Sequence, residues 1–425
     1  MPTEATTGPP ARTNRLGRRA VGLIEMELDR NRCVGLFGPR QAGKSTIARQ
    51  IGDRRGEGAV MLDMRNARDR KALADDDVFF ETHADKLVVI DEAHRDPDAM
   101  DVVHRRIERE IHTRSGETRF LVLGSSSIDL QQLAAERLGA RLTPVLIDPI
   151  QFFELPVQGR SLRRASAFVA VATADEEAIA PELDSDQMDA LWLRGGFPPS
   201  FLAANDQASF AWRKAYLTAC IRRPPGAAHA ELNAGVIKAT LDKIAASQCG
   251  VFPGEKSPAE FREGVRYLEG LGLLRVLLPW YPSRTNQLER RPKLIIRDSG
   301  LLHALRRCTT MDAVTSTAGL LGESWEGFVV EALIAAAGDR AQPFHYRWNN
   351  YQEIDLVLEF DPRRRWAIEI KHNQDPKPSK GFYVACDAIG AERRIFVHRG
   401  AAPLIIGNGI EAFPLRDAID EVLKA

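Results

Sequence analysis

Eight residues near the start of the chain, Gly38-Pro39-Arg40-Gln41-Ala42-Gly43-Lys44-Ser45, have the types and spacing to hold a polyphosphate. They satisfy the pattern G-x-x-x-x-G-K-[ST]. Glycines let the chain curl until backbone N–H groups face phosphate oxygens. Lys44 is placed to bridge the outer phosphates, and the Ser45 hydroxyl to ligate Mg2+. A helix opening at Lys44, with Thr46 in its first turn, aims its positive end at the anion. An unrelated glycine turn would also fit the letters. Against it stands the context, an apolar strand over Cys33–Phe37 before the loop and a helical stretch over Lys44–Ile51 after it.

Leu87-Val88-Val89-Ile90-Asp91-Glu92 supplies a second set. Four apolar residues make a buried strand, and Asp91 emerges at the end where such sheets bind ligands. Asp91 is the expected partner of Mg2+, and Glu92 the group that orients and deprotonates an attacking water. After the strand Phe120–Leu123, Ser125 is the first choice for a γ-phosphate sensor and Ser126 the second; a capping serine is the other reading. Arg137 or Arg141 is the candidate finger arginine, in cis or on a neighbouring subunit, with a plain surface arginine as the alternative.

Far downstream, Ile354–Phe360 and Trp366–Lys371 read as a hairpin turning at Asp361-Pro362-Arg363. With the turn near Arg363, Asp355 falls opposite Lys371 and Val357 opposite Glu369, so Asp355, Glu369 and Lys371 share one face. Two carboxylates and an ammonium, joined by Glu326 from the preceding helix and more weakly by Glu353, could hold Mg2+ and activate water at a phosphodiester. A cross-strand salt bridge is the bland alternative.

The elements that must position these groups fall into an order. From about Arg12 to Leu155, short β-rich runs alternate with helical stretches, which implies a parallel sheet with helices on both faces. From Gln187 to about Thr310 the chain reads as mainly helical. Val236–Ser247 and Ser257–Leu271 are helices, the latter capped by Ser257 with Pro258 in its first turn. Leu273–Leu278 and Lys293–Ile296 are strands, and helix, turn, helix, hairpin is a winged-helix pattern. Its second helix carries Glu260, Arg262, Glu263, Arg266 and Glu269, a mixed charge poorly suited to tracking phosphates. Arg363-Arg364-Arg365 is the better basic patch. From Thr315 an α+β module follows.

The chain has 425 residues, 58 basic and 58 acidic, so net charge gives no argument for nucleic acid. Cys33, Cys220, Cys249, Cys308 and Cys386 form no CxxC pair, which fits a reducing cytoplasm and no zinc site. There is no signal-type apolar segment and no run of about 18 apolar residues, so a cytoplasmic protein without a membrane is expected.

Together, Gly38–Ser45, Asp91-Glu92-Ala93-His94, Gly124-Ser125-Ser126-Ser127, Gly195-Gly196-Phe197-Pro198, Pro292-Lys293-Leu294, Asp298-Ser299-Gly300-Leu301, Gly322-Glu323-Ser324-Trp325-Glu326 and Glu353-Ile354-Asp355 with Glu369-Ile370-Lys371 resemble a prokaryotic family. Its members are AAA-type P-loop ATPases, related to the signal-transduction branch, with a C-terminal domain of unknown function. The first 14 residues, rich in Pro, Thr, Gly and Arg, are expected to be disordered; the resemblance implies an ATPase core over 15–155, a helical lid over 156–230, a winged helix over 231–312 and a PD-(D/E)XK-nuclease-like domain over 313–425. It also implies that Pro198 meets the adenine, a plain turn being the alternative. Where the family usually has Arg-Asp, the chain reads Arg222-Arg223-Pro224-Pro225, so the role of that acid is in doubt.

The expected function is an ATP- and Mg2+-dependent switch or motor acting on nucleic acid, DNA before RNA. The alternative is an ATP-gated scaffold that binds a protein partner or a second copy of itself and cuts nothing. Asp91-Glu92-Ala93-His94 is also spelled like a helicase box, but no second α/β sheet follows Leu155 to complete a helicase.

Overall fold

The computed structural model describes residues 18–113, 117–124, 136–155, 185–222, 232–281, 291–348, 351–374, 376–407 and 409–425. Residues 1–17, 156–184 and Ser125 to Ser127, about which the sequence raised expectations, lie outside them, as do Arg223, Pro224 and Pro225.

Five parallel strands form the first sheet: β1 (Cys33–Phe37), β2 (Ala59–Asp63), β3 (Leu87–Asp91), β4 (Arg119–Leu123) and β5 (Leu142–Leu146), in the order β2-β3-β4-β1-β5. Its strands are apolar on both faces because helices cover both. Cys33, Phe37, Val88, Ile90, Phe120 and Val122 pack with the Pro97–Thr113 helix on one side. Val34, Leu36, Val89, Leu121 and Val145 pack with the helices Arg19–Arg30 and Lys44–Arg55 on the other. The sequence had not marked β5, whose half-exposed edge and internal Pro144 weaken the strand signal.

After the sheet come the helices Ser185–Arg194, Asp206–Arg222, Ala234–Ala245 and Ala259–Gly270 and the antiparallel pair β6 (Leu274–Leu277) and β7 (Lys293–Ile296). The Ala259–Gly270 helix starts later than expected. Pro258, not Ser257, holds its cap position, and no side chain caps it.

The motifs Gly195–Pro198 and Asp298–Leu301 prove to be two halves of one junction. The Asp298 carboxylate accepts the N–H groups of Gly196 (2.8 Å) and Leu301 (2.9 Å). A Cβ on Gly300 would sit 2.1 Å from the Arg194 carbonyl oxygen, so only glycine allows this approach. Buried Arg213 ties the same place together, donating to the carbonyls of Leu193 (3.0 Å) and Gly300 (2.8 Å).

The last module is a mixed six-stranded sheet, β12-β13-β11-β10-β9-β8. Its strands are β8 (Gln342–Arg347), β9 (Glu353–Asp361), β10 (Arg364–Ile370), β11 (Arg393–His398), β12 (Leu404–Ile405) and β13 (Ile410–Pro414). The helices Leu320–Ala337 and Leu415–Lys424 pack together, and both contribute to its core. That core runs on without a break into Ile150, Phe152, Leu155, Leu191 and Trp192, which belong to earlier segments. A buried chain of hydrogen bonds crosses the same boundary. The His303 Nδ1–H points to the Leu193 oxygen (3.1 Å), so Nε2 accepts from the Ser324 hydroxyl (2.7 Å), which itself accepts from Trp192 Nε1 (2.9 Å). Burial holds His303 neutral, pushing its pKa down to about 4. With both side chains shut from solvent, this Ser–His pair is structural.

Candidate functional site

β1 ends at Phe37 and the loop Gly38–Gly43 carries the chain into the Lys44–Arg55 helix, with Gly43 left-handed at its cap (φ 103°). Lys44 is 7% exposed, and its ammonium donates to the carbonyls of Gly38 (2.6 Å) and Pro39 (2.7 Å). Burial pushes its pKa down to about 8, against the pull of Glu92 and Asp91. β3 ends level with β1, only β4 lying between them, so Asp91 and Glu92 reach the same edge of the sheet. Asp91 accepts from the Ser45 hydroxyl and from the Glu92 N–H (2.9 Å). Burial raises its pKa, with Glu92 and Asp63 adding to the push. Glu92 is itself left-handed (φ 55°), and its carboxylate lies 3.6 Å from His94 and 3.9 Å from Arg95. Arg40, Gln41 and Thr46 face outward, and Pro39 and Ala42 are buried.

Other parts of the chain grip the outside of this loop. Arg18 donates to the carbonyls of Ala42 (3.0 Å) and Asp148 (2.6 Å) and pairs with Glu154 (3.1 Å). The Tyr216 hydroxyl donates to the Arg40 carbonyl (3.2 Å). A Cβ on Gly43 would stand 3.3 Å from Arg18 and 3.8 Å from the Pro198 ring, and one on Gly272 would stand 3.0 Å from the Pro39 ring. The loop is therefore walled by an arginine before it, by the helical segment, and by the turn that leads into β6.

A second cluster lies in the C-terminal module. Asp355 comes from β9, Glu369 from β10, Lys371 from just beyond it, and Glu326 from the Leu320–Ala337 helix. At its centre is a residue from elsewhere. Lys293, the first residue of β7 and 2% exposed, brings its ammonium to Glu326 (2.9 Å), Glu353 (3.0 Å) and Asp355 (3.2 Å). Burial alone would lower its pKa, yet Glu326, Asp355 and Glu353 carry it well above the ordinary lysine value. The second Asp355 oxygen accepts the Ile370 N–H (2.9 Å). Glu369 pairs with Lys371 (2.7 Å), and its Oε2 is buried without a hydrogen-bond partner. Burial, with Asp355 adding, raises the Glu369 carboxyl to about 8; burial and Asp355 raise Glu326 to about 7.

Residues 30–155 match a family described as AAA domain, residues 185–312 a domain of unknown function (DUF8612), and residues 321–418 another (DUF4143). Over 420 residues, 96% of this chain and 86% of the relative, the chain is 31% identical to an uncharacterized protein of Mycobacterium tuberculosis and equally to one of Mycobacterium bovis. The chain belongs to a prokaryotic family of AAA-type ATPases. Among solved structures, the Walker-type ATPase of Pyrococcus abyssi overlaps 71% of this chain and 99% of its own, at TM-score 0.43 and 13% identity. The ORC1 protein of Aeropyrum pernix, in complex with DNA, overlaps 72% and 96%, at TM-score 0.29 and 14% identity.

In this AAA-type ATPase three expectations need correction. Arg141 precedes β5 and so lies at the opposite end of the sheet from Lys44, paired with Glu108 (2.7 Å). It cannot reach the phosphate loop of its own chain. Arg137 is likewise paired, with Asp101. In the β9–β10 hairpin, Ala367 rather than Glu369 lies opposite Val357. The turn is tighter than expected, and an irregularity at Arg364/Arg365 shifts the register. The shift is two residues, so the face is preserved.

The third correction concerns metal. Asp355 and Glu369 were expected to hold an ion, but Lys293 takes one Asp355 oxygen and Lys371 one Glu369 oxygen. Among the described residues no group of three or more His, Cys, Asp or Glu side chains is set to hold a metal. A metal therefore does not fit this cluster as it stands.

Arg18 and Lys293 were missed as site residues. Arg18 stands in an arginine-rich stretch with no distinguishing spacing. Lys293 opens an apolar strand, and its neighbours in sequence give no sign of the acids it meets.

Proposed function

We propose that this AAA-type ATPase binds ATP with Mg2+ and hydrolyses it, and that the cycle sets the state of its C-terminal module. The observation that carries this reading is the convergence of Lys44, Ser45, Asp91 and Glu92 on one edge of the parallel sheet. The backbone N–H groups of Gly38 and of Arg40 to Ser45 would cradle the phosphates, and Lys44 exchanges its two carbonyl partners for phosphate oxygens. The Ser45–Asp91 pair, already joined by a hydrogen bond, fits a Mg2+ site. Ser45 and Asp91 would hold Mg2+ there, and it would supply charge offset to the outer phosphates. Glu92 orients the attacking water and takes its proton. Ser125, next after Gly124 in the sequence, is the γ-phosphate sensor of this reading. Pro198, beside Gly43, borders the nucleotide on the side of the helical lid.

Two variants test the assignment. Lys44→Ala abolishes tight ATP binding. Glu92→Gln keeps binding and loses about 10²–10⁴-fold in turnover. Normal turnover in both variants refutes the reading.

The C-terminal module is read as PD-(D/E)XK-nuclease-like, with DNA as the favoured partner. Its mixed sheet, with Asp355 and Glu369 on adjacent strands, supports that fold. The lysine seated among its acids favours a second reading for the form described here, a module that binds a partner without cutting. DNA-stimulated ATP turnover supports the first; turnover indifferent to DNA but raised by a protein partner supports the second.

A further inference from the structure

We infer that the β8–β9 end of the C-terminal module is a docking surface for an unpaired nucleic-acid strand, with Trp348 and Tyr351 stacking on bases and nearby lysines meeting phosphates. This inference rests on reading the module as one that acts on nucleic acid, and adds the form of the strand and the side chains that meet it.

Three observations carry it. The first is exposure. The Trp348 N–H donates to the Gln352 carbonyl (3.0 Å) and closes this end of the β8–β9 pair, where Trp348 is 72% exposed and Tyr351 83%. Trp192, Trp280, Trp325 and Trp366 are all buried. One exposed aromatic residue is ordinary, but two at one hairpin end mark a contact surface. The backbone fixes its place. A Cβ on Gly381 would sit 1.5 Å from the Tyr351 carbonyl oxygen, so only glycine lets the start of the Lys380–Ile389 helix rest there.

The second is charge. β9 runs away from this end and β10 returns to it, which brings Lys371 alongside. The charged groups that reach water here are basic. Arg347, Lys377 and Lys380 are exposed, and the Lys371 side chain is 42% exposed. Lys377 and Lys380 have no ion-pair partner among the described residues. The acids are withdrawn: the side chains of Asp355, Glu369 and Glu326 are 10%, 14% and 20% exposed. Arg363-Arg364-Arg365, the basic run expected from the sequence, lies at the opposite end of the β9–β10 hairpin. There Arg364 and Arg365 already face Glu392 (3.7 Å) and Glu359 (2.6 Å).

The third is the match of chemistry. Aromatic side chains stack on any base, and cations beside them follow the phosphates. In a duplex the bases stack on one another, so the surface suits an unpaired strand. A protein partner fits less well, because lysine is depleted at the centre of protein interfaces.

The test uses the full chain, with and without a non-hydrolysable ATP analogue. Fluorescence anisotropy follows a labelled oligothymidylate, the matching oligouridylate and a DNA duplex of mixed sequence. The wild type is expected to prefer the unpaired strands, and the tighter of the two tells DNA from RNA. Trp348→Ala and Tyr351→Ala should each weaken that binding about 5–150-fold, while Trp348→Phe keeps most of it. Both side chains are exposed, so the variants should melt with the wild type. Lys380→Ala should flatten the slope of log Kd against log salt by about 0.7 for the unpaired strands.

Unpaired-strand binding that is unmoved in Trp348→Ala/Tyr351→Ala overturns this inference alone, since the module then meets nucleic acid elsewhere. A preference for duplex that ignores both variants overturns it in the same way. A wild type that binds none of the three probes, with or without the analogue, overturns the nucleic-acid reading as well and leaves the two aromatics to a protein partner.

Discussion

Lys44 must give up two carbonyl oxygens before it can meet a phosphate, and in that resting state burial holds its pKa near 8. Polyphosphate favours the charged form, so binding above that pH requires proton uptake. ATP affinity is therefore expected to be flat below about pH 8 and to weaken as pH rises beyond it, by up to about tenfold per unit. A titration of Kd from pH 7 to 9.5 checks this, and an affinity that stays level to pH 9.5 contradicts it. At this scale the sequence was most legible where chemistry needs contiguous residues. Gly38 to Ser45 and Asp91-Glu92 announce themselves because backbone curl, cation and acid must occur in fixed local order. Lys293 does not, because its role depends on carboxylates more than thirty positions away that only the fold brings near.

At the scale of elements, apolar runs marked β1, β3, β4 and β7, since strands buried on both faces must be apolar throughout. The edge strand β5 and the short β12 have no such requirement and left little trace. Faces in the β9–β10 hairpin were readable because side chains alternate; the register was not, because it depends on how the turn closes. The junction between Gly195–Pro198 and Asp298–Leu301 was visible as two motifs but not as one contact. It makes a direct prediction. Gly300→Ala would drive a methyl group against the Arg194 carbonyl, and relief requires moving one helix end away from the other. A loss of about 1–3 kcal/mol in unfolding free energy is expected, measurable by denaturant melts, whereas Gly322→Ala, with open space around it, should change stability little.

At the scale of the whole molecule, the core does not divide where the motifs do. Ile150, Phe152, Leu191 and Trp192 pack in the same cluster as the C-terminal helices and strands. Arg297 adds a buried tie, pairing with Asp148 (2.6 Å) and Glu331 (2.8 Å) on either side. A ligand of the phosphate loop should therefore stabilise the C-terminal module as well. At a hundredfold excess over Kd, a non-hydrolysable ATP analogue should add about 2.7 kcal/mol and raise a single calorimetric transition. Two transitions, with only one shifted, would show that the modules melt separately.

The walls of the phosphate loop also have an order in time. Arg18 leaves the ribosome before Lys44, but Tyr216 and Gly272 leave long after it. A nascent chain thus holds a complete Gly38–Ser45 sequence long before these later braces exist. The first sheet and its phosphate loop are therefore synthesised well before Tyr216 and Gly272, the contacts that brace the loop from outside.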